Sequence, residues 1–107
     1  MKDVSLTNHS VERMQQRFDI NRMEKCLSVA DRAWRNGKGT DCFTGRMRKY
    51  LEEVESRNRL SKVVAKVHAK NCYIFTTEGT LITVFSIADR YDKYMRDRKP
   101  QRYYEAA

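Results

Sequence analysis

Three side chains that can bind or react with a phosphate, His9, Arg13 and Arg17, follow one another at four-residue steps. In a helix this spacing places them at neighbouring angles on one flank. Metal-free RNA cleavage needs a group that moves a proton and cations that stabilise the charge developing at the phosphate. An imidazole and two guanidinium groups meet both needs. The three residues are therefore candidate catalytic residues. The alternative is that they form a solvated basic edge of the helix, whose positive charge Glu12 partly offsets.

A second group of candidates lies where the hydrophobic period changes from 3.6 to 2, after Lys62. If hairpin turns at Lys70-Asn71 and Glu78-Gly79 join three strands, Cys72 pairs with Ala69 and with Phe85. One face of this sheet is small and mostly apolar, and is the predicted core: Ala65, Val67, Ala69, Cys72, Ile74, Thr76, Leu81, Thr83 and Phe85. The opposite face mixes basic and aromatic groups: Val64, Lys66, His68, Tyr73, Phe75, Ile82 and Val84.

The basic and aromatic face is typical of surfaces that bind single-stranded nucleic acid, because rings stack on bases and cations meet phosphates. It predicts nucleic-acid contacts for four residues, Lys66, Lys70, Tyr73 and Phe75. His68 is a candidate catalytic residue, and one of Lys66, His68 or Tyr73 is expected to act together with His9. The alternative is that a third helix or a C-terminal arm covers this face, and one slipped residue in either turn would exchange the two faces.

Two helices are predicted before the strands. Val11, Met14 and Phe18 recur at helical spacing and predict a helix at residues 9–18 behind a cap at Thr7, Asn8 or Ser10. A longer stripe predicts a helix at residues 21–36 that ends at Gly37 in a left-handed conformation. The stripe consists of Met23, Cys26, Leu27, Ala30, Ala33 and Trp34, and we expect Leu27 and Trp34 to be buried against the sheet.

The order of elements predicts an α+β fold in which N-terminal helices pack on one face of a three- to four-stranded antiparallel sheet. One domain is expected at residues 1–107, because a chain of 107 residues has enough apolar side chains for only one hydrophobic core. Within it we distinguish a helical part at 7–37 and a helical insertion at 44–58. An antiparallel meander follows at 62–87, and 88–107 form a C-terminal helix or arm.

The composition favours an anionic partner. Lys and Arg number 22 against 14 Asp and Glu, a net charge of +8 that attracts phosphate backbones and acidic proteins. No signal sequence and no apolar run of membrane-spanning length is present, so a cytoplasmic protein is expected. Cys26, Cys42 and Cys72 have neither CxxC nor Cys/His spacing, which predicts no disulfide framework, no metal site and no cofactor.

Two blocks of the chain resemble a known family. The string His9-Ser-Val-Glu-Arg13-Met-Gln-Gln-Arg17, with the helix that follows, resembles the opening of domain-of-unknown-function family 4258. The string Gly79-Thr-Leu-Ile-Thr-Val-Phe85 resembles the end of that family's strands, so that the matching blocks cover residues 7–37 and 63–87. The segment between them departs from the shorter family pattern.

That family is similar to the group of barnase, EndoU, colicin and RelE-like folds, which includes many metal-independent ribonucleases and toxins. The resemblance implies RNA as partner and a toxin-type endoribonuclease as the leading hypothesis, with an antitoxin or another acidic protein as a further partner and no membrane. The alternative hypothesis is a non-catalytic module that binds nucleic acid or an acidic protein, such as an inhibitor encoded by a phage or mobile element.

Overall fold

The structure is a computed structural model that describes residues 4–57 and 62–87, and this part of the chain forms three α-helices and a five-stranded sheet. The helices are α1 (Asn8–Phe18), α2 (Met23–Asn36) and α3 (Gly45–Ser56), with a short 3₁₀ helix at Thr40–Cys42. The strands are β1 (Ser5–Leu6), β2 (Lys38–Gly39), β3 (Val63–His68), β4 (Asn71–Thr76) and β5 (Thr80–Ser86). The α+β class is confirmed, and the predicted segment 88–107 lies outside the described residues.

The strands lie in the order β1-β5-β4-β3-β2. Neighbouring strands are antiparallel except β1, which pairs with β5 in parallel through Ser5 with Thr80 and Leu6 with Leu81. Sequence patterns missed β1 and β2, because strands of two residues carry no periodic signal. They add one strand to each side of the predicted meander.

The turn between β3 and β4 lies at Ala69-Lys70, one residue before the predicted turn. Both residues have positive φ, 50° and 68°, as a tight two-residue hairpin turn requires. Cys72 therefore pairs with Val67 and not with Ala69. Because this register differs by two residues, every side chain of β3 stays on its predicted face. In the second hairpin Cys72 pairs with Phe85, as predicted.

A register shift in β5 exchanges two side chains between the faces. Ile74 pairs with Thr83, but Phe75 pairs with Leu81, so Ile82 is the extra residue of a β-bulge. Leu81 consequently packs with Phe75, and Ile82 packs on the opposite face. The prediction had these two residues the other way round, since simple alternation has no place for an extra residue.

Helices cover both faces of the sheet. The N-terminal helices α1 and α2 share one face, and their core cluster consists of Val4, Met14, Cys26, Ala30, Ala33, Tyr73, Phe75, Leu81 and Val84. The third helix packs on the other face, where the cluster consists of Tyr50, Leu51, Val54, Val63, Ala65, Cys72, Ile74 and Phe85. The prediction that the basic and aromatic face is open was therefore wrong, and α1 and α2, not α3, are the elements that cover it.

The second helix begins at Met23 and ends close to β3. Its buried residues are Cys26, Ala30 and Ala33, while Leu27 and Trp34 are only partly buried. Gly37 has φ −67° and ψ 151°, so the predicted left-handed conformation is wrong. A Cβ at Gly37 would collide with the carbonyl oxygen of Ala33 in α2 and would lie 2.9 Å from the Cβ of Lys66 in β3. Glycine is needed here because the chain passes close to both the last turn of α2 and β3, not for a positive φ.

Thr7 ties the start of α1 to β5. Its Oγ1 accepts a hydrogen bond from Ser10 N at 3.1 Å and donates toward the carbonyl oxygens of Leu81 at 3.1 Å and Ile82 at 3.3 Å. We expect Thr7→Ala to lower the free energy of unfolding in urea by about 1–2 kcal/mol, because a cap is removed. Thr7→Ser keeps the hydroxyl, so its free energy of unfolding should fall much less. Equal losses in the two variants would show that the methyl group, and not the cap, matters.

Candidate functional site

His9, Arg13 and Arg17 form a continuous flank of α1, which we call the α1 row. Ser10 and Met14 are fully buried, and they fix which side of the helix faces the sheet. His9 and Arg17 are exposed and Arg13 is partly buried. Arg13 Nε donates to His9 Nε2 at 3.5 Å, so the imidazole accepts a hydrogen bond from its neighbour. The structure thus brings together the three residues that the sequence predicts as a group.

The arginines of the α1 row differ from several others in their pairing. Arg22 pairs with Glu24 at 2.7 Å and Arg35 with Asp31 at 3.1 Å. On α3, Arg48 pairs with Glu52 at 3.2 Å and Arg57 with Glu53 at 3.8 Å. Within residues 4–57 and 62–87, no carboxylate lies at ion-pair distance from Arg13 or Arg17. Their charge is not neutralised inside the described structure.

His9 and Tyr73 lie on opposite sides of α1. Phe18 stacks on Tyr73 with ring centroids 6.4 Å apart, so the Phe18 side of α1 faces β4. At about 100° per residue, His9 lies half a turn round the helix from Phe18. His9 therefore faces away from Tyr73.

Two of the predicted nucleic-acid contacts are buried. Phe75 is 0% exposed and Tyr73 is 3% exposed, so neither ring can stack on a base, and this prediction was wrong. Phe75 instead packs edge-on against Trp34, with centroids 4.9 Å apart. Burial raises the pKa of Tyr73 to about 12, an effect that the charge of Arg32 partly offsets. The phenol of Tyr73 thus stays protonated inside the core.

The remaining predicted site residues are dispersed along the β3–β4 hairpin. His68 is the last residue of β3 and is partly buried, and Lys70 is exposed in the turn. Lys66 extends over the indole of Trp34, with its Nζ 5.4 Å from the ring centroid. The structure places Lys66 in a pocket, and not on an open sheet face.

This pocket lies at the edge of β3 where β2 ends, and its volume is about 360 Å³. Its polar lining consists of Thr40, Asp41, Glu52, Glu55, Lys66 and Thr77, and Trp34 forms an aromatic wall. Oε2 of Glu55 accepts hydrogen bonds from Ala65 N at 2.8 Å and from Thr40 Oγ1 at 3.0 Å. Sequence patterns did not indicate this site. Glu52 and Glu55 do stand three residues apart on one helix, but nothing local shows that they reach β3.

The cysteines offer no reactive thiolate in the core. Burial raises the pKa of Cys72 to about 12, and the charge of Glu55 adds to that rise. Burial also raises the pKa of Cys26, whereas Cys42 is exposed. In the described ranges, no three His, Cys, Asp or Glu side chains are grouped so that they could hold a metal ion. None of the described helices is both long and apolar enough to span a membrane.

Comparison with known proteins adds no relative. No protein-family model, no curated protein and no solved structure matches this chain. The resemblance to family 4258 therefore remains a hypothesis that stands on the His9–Arg17 and Gly79–Phe85 strings alone.

Proposed function

We propose that this protein binds RNA through the α1 row and need not cut the RNA that it binds. The observation that carries the proposal is the pairing pattern of the arginines. Arg22 and Arg35 are neutralised by carboxylates, whereas Arg13 and Arg17, like Arg32 of α2, have no carboxylate at ion-pair distance within residues 4–57 and 62–87. Two such guanidinium groups one helical turn apart suit successive anionic groups of a phosphate backbone.

The overall charge supports a polyanion as the ligand. A net charge of +8 on 107 residues creates a positive field that reaches about 8–10 Å at ordinary salt. The resemblance to family 4258 implies RNA among the polyanions. Binding through the α1 row needs no catalytic partner for His9, which lies on the opposite side of α1 from the Phe18 that stacks on Tyr73. His9 Nε2 accepts a long hydrogen bond of 3.5 Å from Arg13 Nε.

The test is the affinity for a labelled single-stranded RNA between about 50 and 200 mM salt. Arg13→Ala and Arg17→Ala should each weaken binding roughly tenfold, since each removes a charge-assisted contact of ~1.4 kcal/mol. Each should also reduce the slope of log affinity against log salt by ~0.7, because one phosphate contact is lost. The thermal midpoint of unfolding should stay close to that of wild type.

Arg22→Ala is the matched control. It removes the same charge from an exposed site, but one that Glu24 already neutralises, and should change affinity and slope much less. Equal effects of all three variants would mean that only the net charge matters. That result would contradict the proposal that the α1 row is the RNA-binding surface. Incubation with EDTA, with His9→Ala beside wild type, shows whether the RNA is also cut. Cleavage that requires His9 would restore the ribonuclease hypothesis.

A further inference from the structure

Three aromatic rings form a series that leads from the core to the end of α1, which we call the aromatic ladder. Phe75 and Tyr73 of β4 have ring centroids 6.4 Å apart and an interplanar angle of 20°. Phe18 continues the series, since its ring lies 6.4 Å from that of Tyr73 at an angle of 25°. Phe75 and Tyr73 are buried, whereas Phe18 is only partly buried. The ladder therefore ends in a ring that solvent reaches, at the last residue of α1.

The outer ring of the ladder has the chemistry of a base-stacking site. Aromatic rings pair in offset stacks with centroids about 4.5–7 Å apart, and both pairs of the ladder have this geometry. A nucleic-acid base is also a flat ring, and it stacks on aromatic side chains in the same way. Tyr73 and Phe75 cannot do this because they are buried. Phe18 is the member of the ladder that a base can reach.

Cations of two helices lie near the ladder. Arg17 directly precedes Phe18, and Arg32 of α2 is exposed. Neither has a carboxylate at ion-pair distance in the described part of the chain. Burial raises the pKa of Tyr73, and the charge of Arg32 partly offsets that rise, so the guanidinium of Arg32 lies near the middle ring. A phosphate backbone that leaves the α1 row at Arg17 can therefore meet a further cation on α2.

The position of Phe18 itself suits a base better than a phosphate. Asp19 follows Phe18 and is exposed. Among the described residues, no Lys or Arg lies at ion-pair distance from this carboxylate. Its negative charge repels a phosphate but not a neutral base. The charges thus favour phosphates at the two arginines and a base between them.

We propose that a strand of RNA crosses from α1 to α2 over Phe18 and stacks one unpaired base on its ring. The inference rests on the function proposed above and specifies its ligand, which is single-stranded RNA. In duplex RNA the bases are paired and stacked on one another, so their faces are not accessible. A duplex can meet the arginines through its phosphates, but it cannot place a base on Phe18.

Phe18→Leu tests the stack, since leucine keeps an apolar side chain toward the core and removes the ring. The affinity for single-stranded RNA should fall about 5-fold or more. The slope of log affinity against log salt should stay as in wild type, because no phosphate contact is lost. The affinity for a duplex of the same sequence should not change. Phe18→Tyr keeps the ring and is the matched control, with an affinity near that of wild type.

Arg32→Ala tests the crossing to α2. It should weaken the binding of single-stranded RNA and reduce the salt slope by ~0.7, because one phosphate contact is lost. Arg22→Ala is again the control, since Glu24 neutralises that charge beside the same helix. A salt slope of Arg32→Ala equal to that of wild type would overturn the crossing.

Two results would overturn the stack. One is equal affinity of wild type and Phe18→Leu for single-stranded RNA, and the other is tighter binding of the duplex than of the single strand. Either result could occur while Arg13→Ala and Arg17→Ala still reduce the salt slope, and the α1 row would then stand without the stack. If those two variants bind RNA as wild type does, the α1 row itself has failed.

A measurement on the wild-type protein covers the case in which Phe18→Leu does not fold. Nuclear Overhauser effects between the ring protons of Phe18 and base protons of the bound RNA are expected in the complex. Their presence supports the stack. Their absence, with RNA bound and the Phe18 resonances assigned, overturns it.

Discussion

Phe75→Ala is expected to lower the free energy of unfolding by about 3–5 kcal/mol, measured by urea denaturation. Phe75 is fully buried between α2 and the sheet, where it contacts both Trp34 and Tyr73. Removing the ring leaves a cavity that the closely packed helix cannot fill. Small domains have free energies of unfolding of only about 5–15 kcal/mol, so this variant should lose a large part of the total.

Phe43→Ala is the comparison for this variant. Phe43 is only partly buried beside the cluster under α3, so its truncation should cost less. If Phe75→Ala instead left stability unchanged and weakened RNA binding, the aromatic face would have to open in solution. The stacking role predicted from the sequence would then be right.

Raising the pH from about 8 to about 11 is expected to destabilise the fold by ~4 kcal/mol. Burial raises the pKa of Cys72 from 9.0 to about 12 and that of Tyr73 from 10.0 to about 12. Above pH 9 the unfolded chain loses the Cys72 proton, and above pH 10 the Tyr73 proton, while the folded chain keeps both. The unfolded state then binds fewer protons, so stability falls as the pH rises, at ~1.4 kcal/mol per pH unit for each group.

The double variant Cys72→Ala with Tyr73→Phe tests the source of this decline. It removes both ionisable groups and keeps apolar side chains at both positions. Its free energy of unfolding should fall much less steeply between the same two pH values, even if it begins lower. A decline as steep as that of wild type would assign the alkaline sensitivity to other groups, such as the lysines.

The elements themselves are predictable from local patterns. Residues 9–18 carry a period of 3.6, residues 63–87 are rich in β-branched and aromatic residues between turn signals, and the structure has α1 and the three-stranded meander there. The α1 row follows from the same pattern, because residues four apart on a helix share a flank wherever that helix packs. These features depend on neighbours in sequence, which is why the sequence is sufficient for them.

The choice of face depends on contacts between distant residues. Small apolar residues on one sheet face suggested helix packing there, but α1 and α2 pack on Tyr73 and Phe75 instead. A sequence signal for this did exist. Cys72, Tyr73, Ile74 and Phe75 are apolar or aromatic without alternation, a pattern typical of a strand buried on both faces, and all four are buried. The pocket at Glu55 had no comparable signal, because it depends on where β2 ends.

The parallel pairing of β1 with β5 has a consequence for the order of folding. The hydrogen bond between Ser5 Oγ and Thr80 Oγ1 joins residues that are 75 positions apart, whereas each hairpin of the meander closes a short loop. Closing a long loop costs more chain entropy, so we expect the meander to form before β1 and α1 dock on it. Thr7→Ala should then accelerate unfolding and leave the folding rate nearly unchanged, since its contacts form after the rate-limiting barrier.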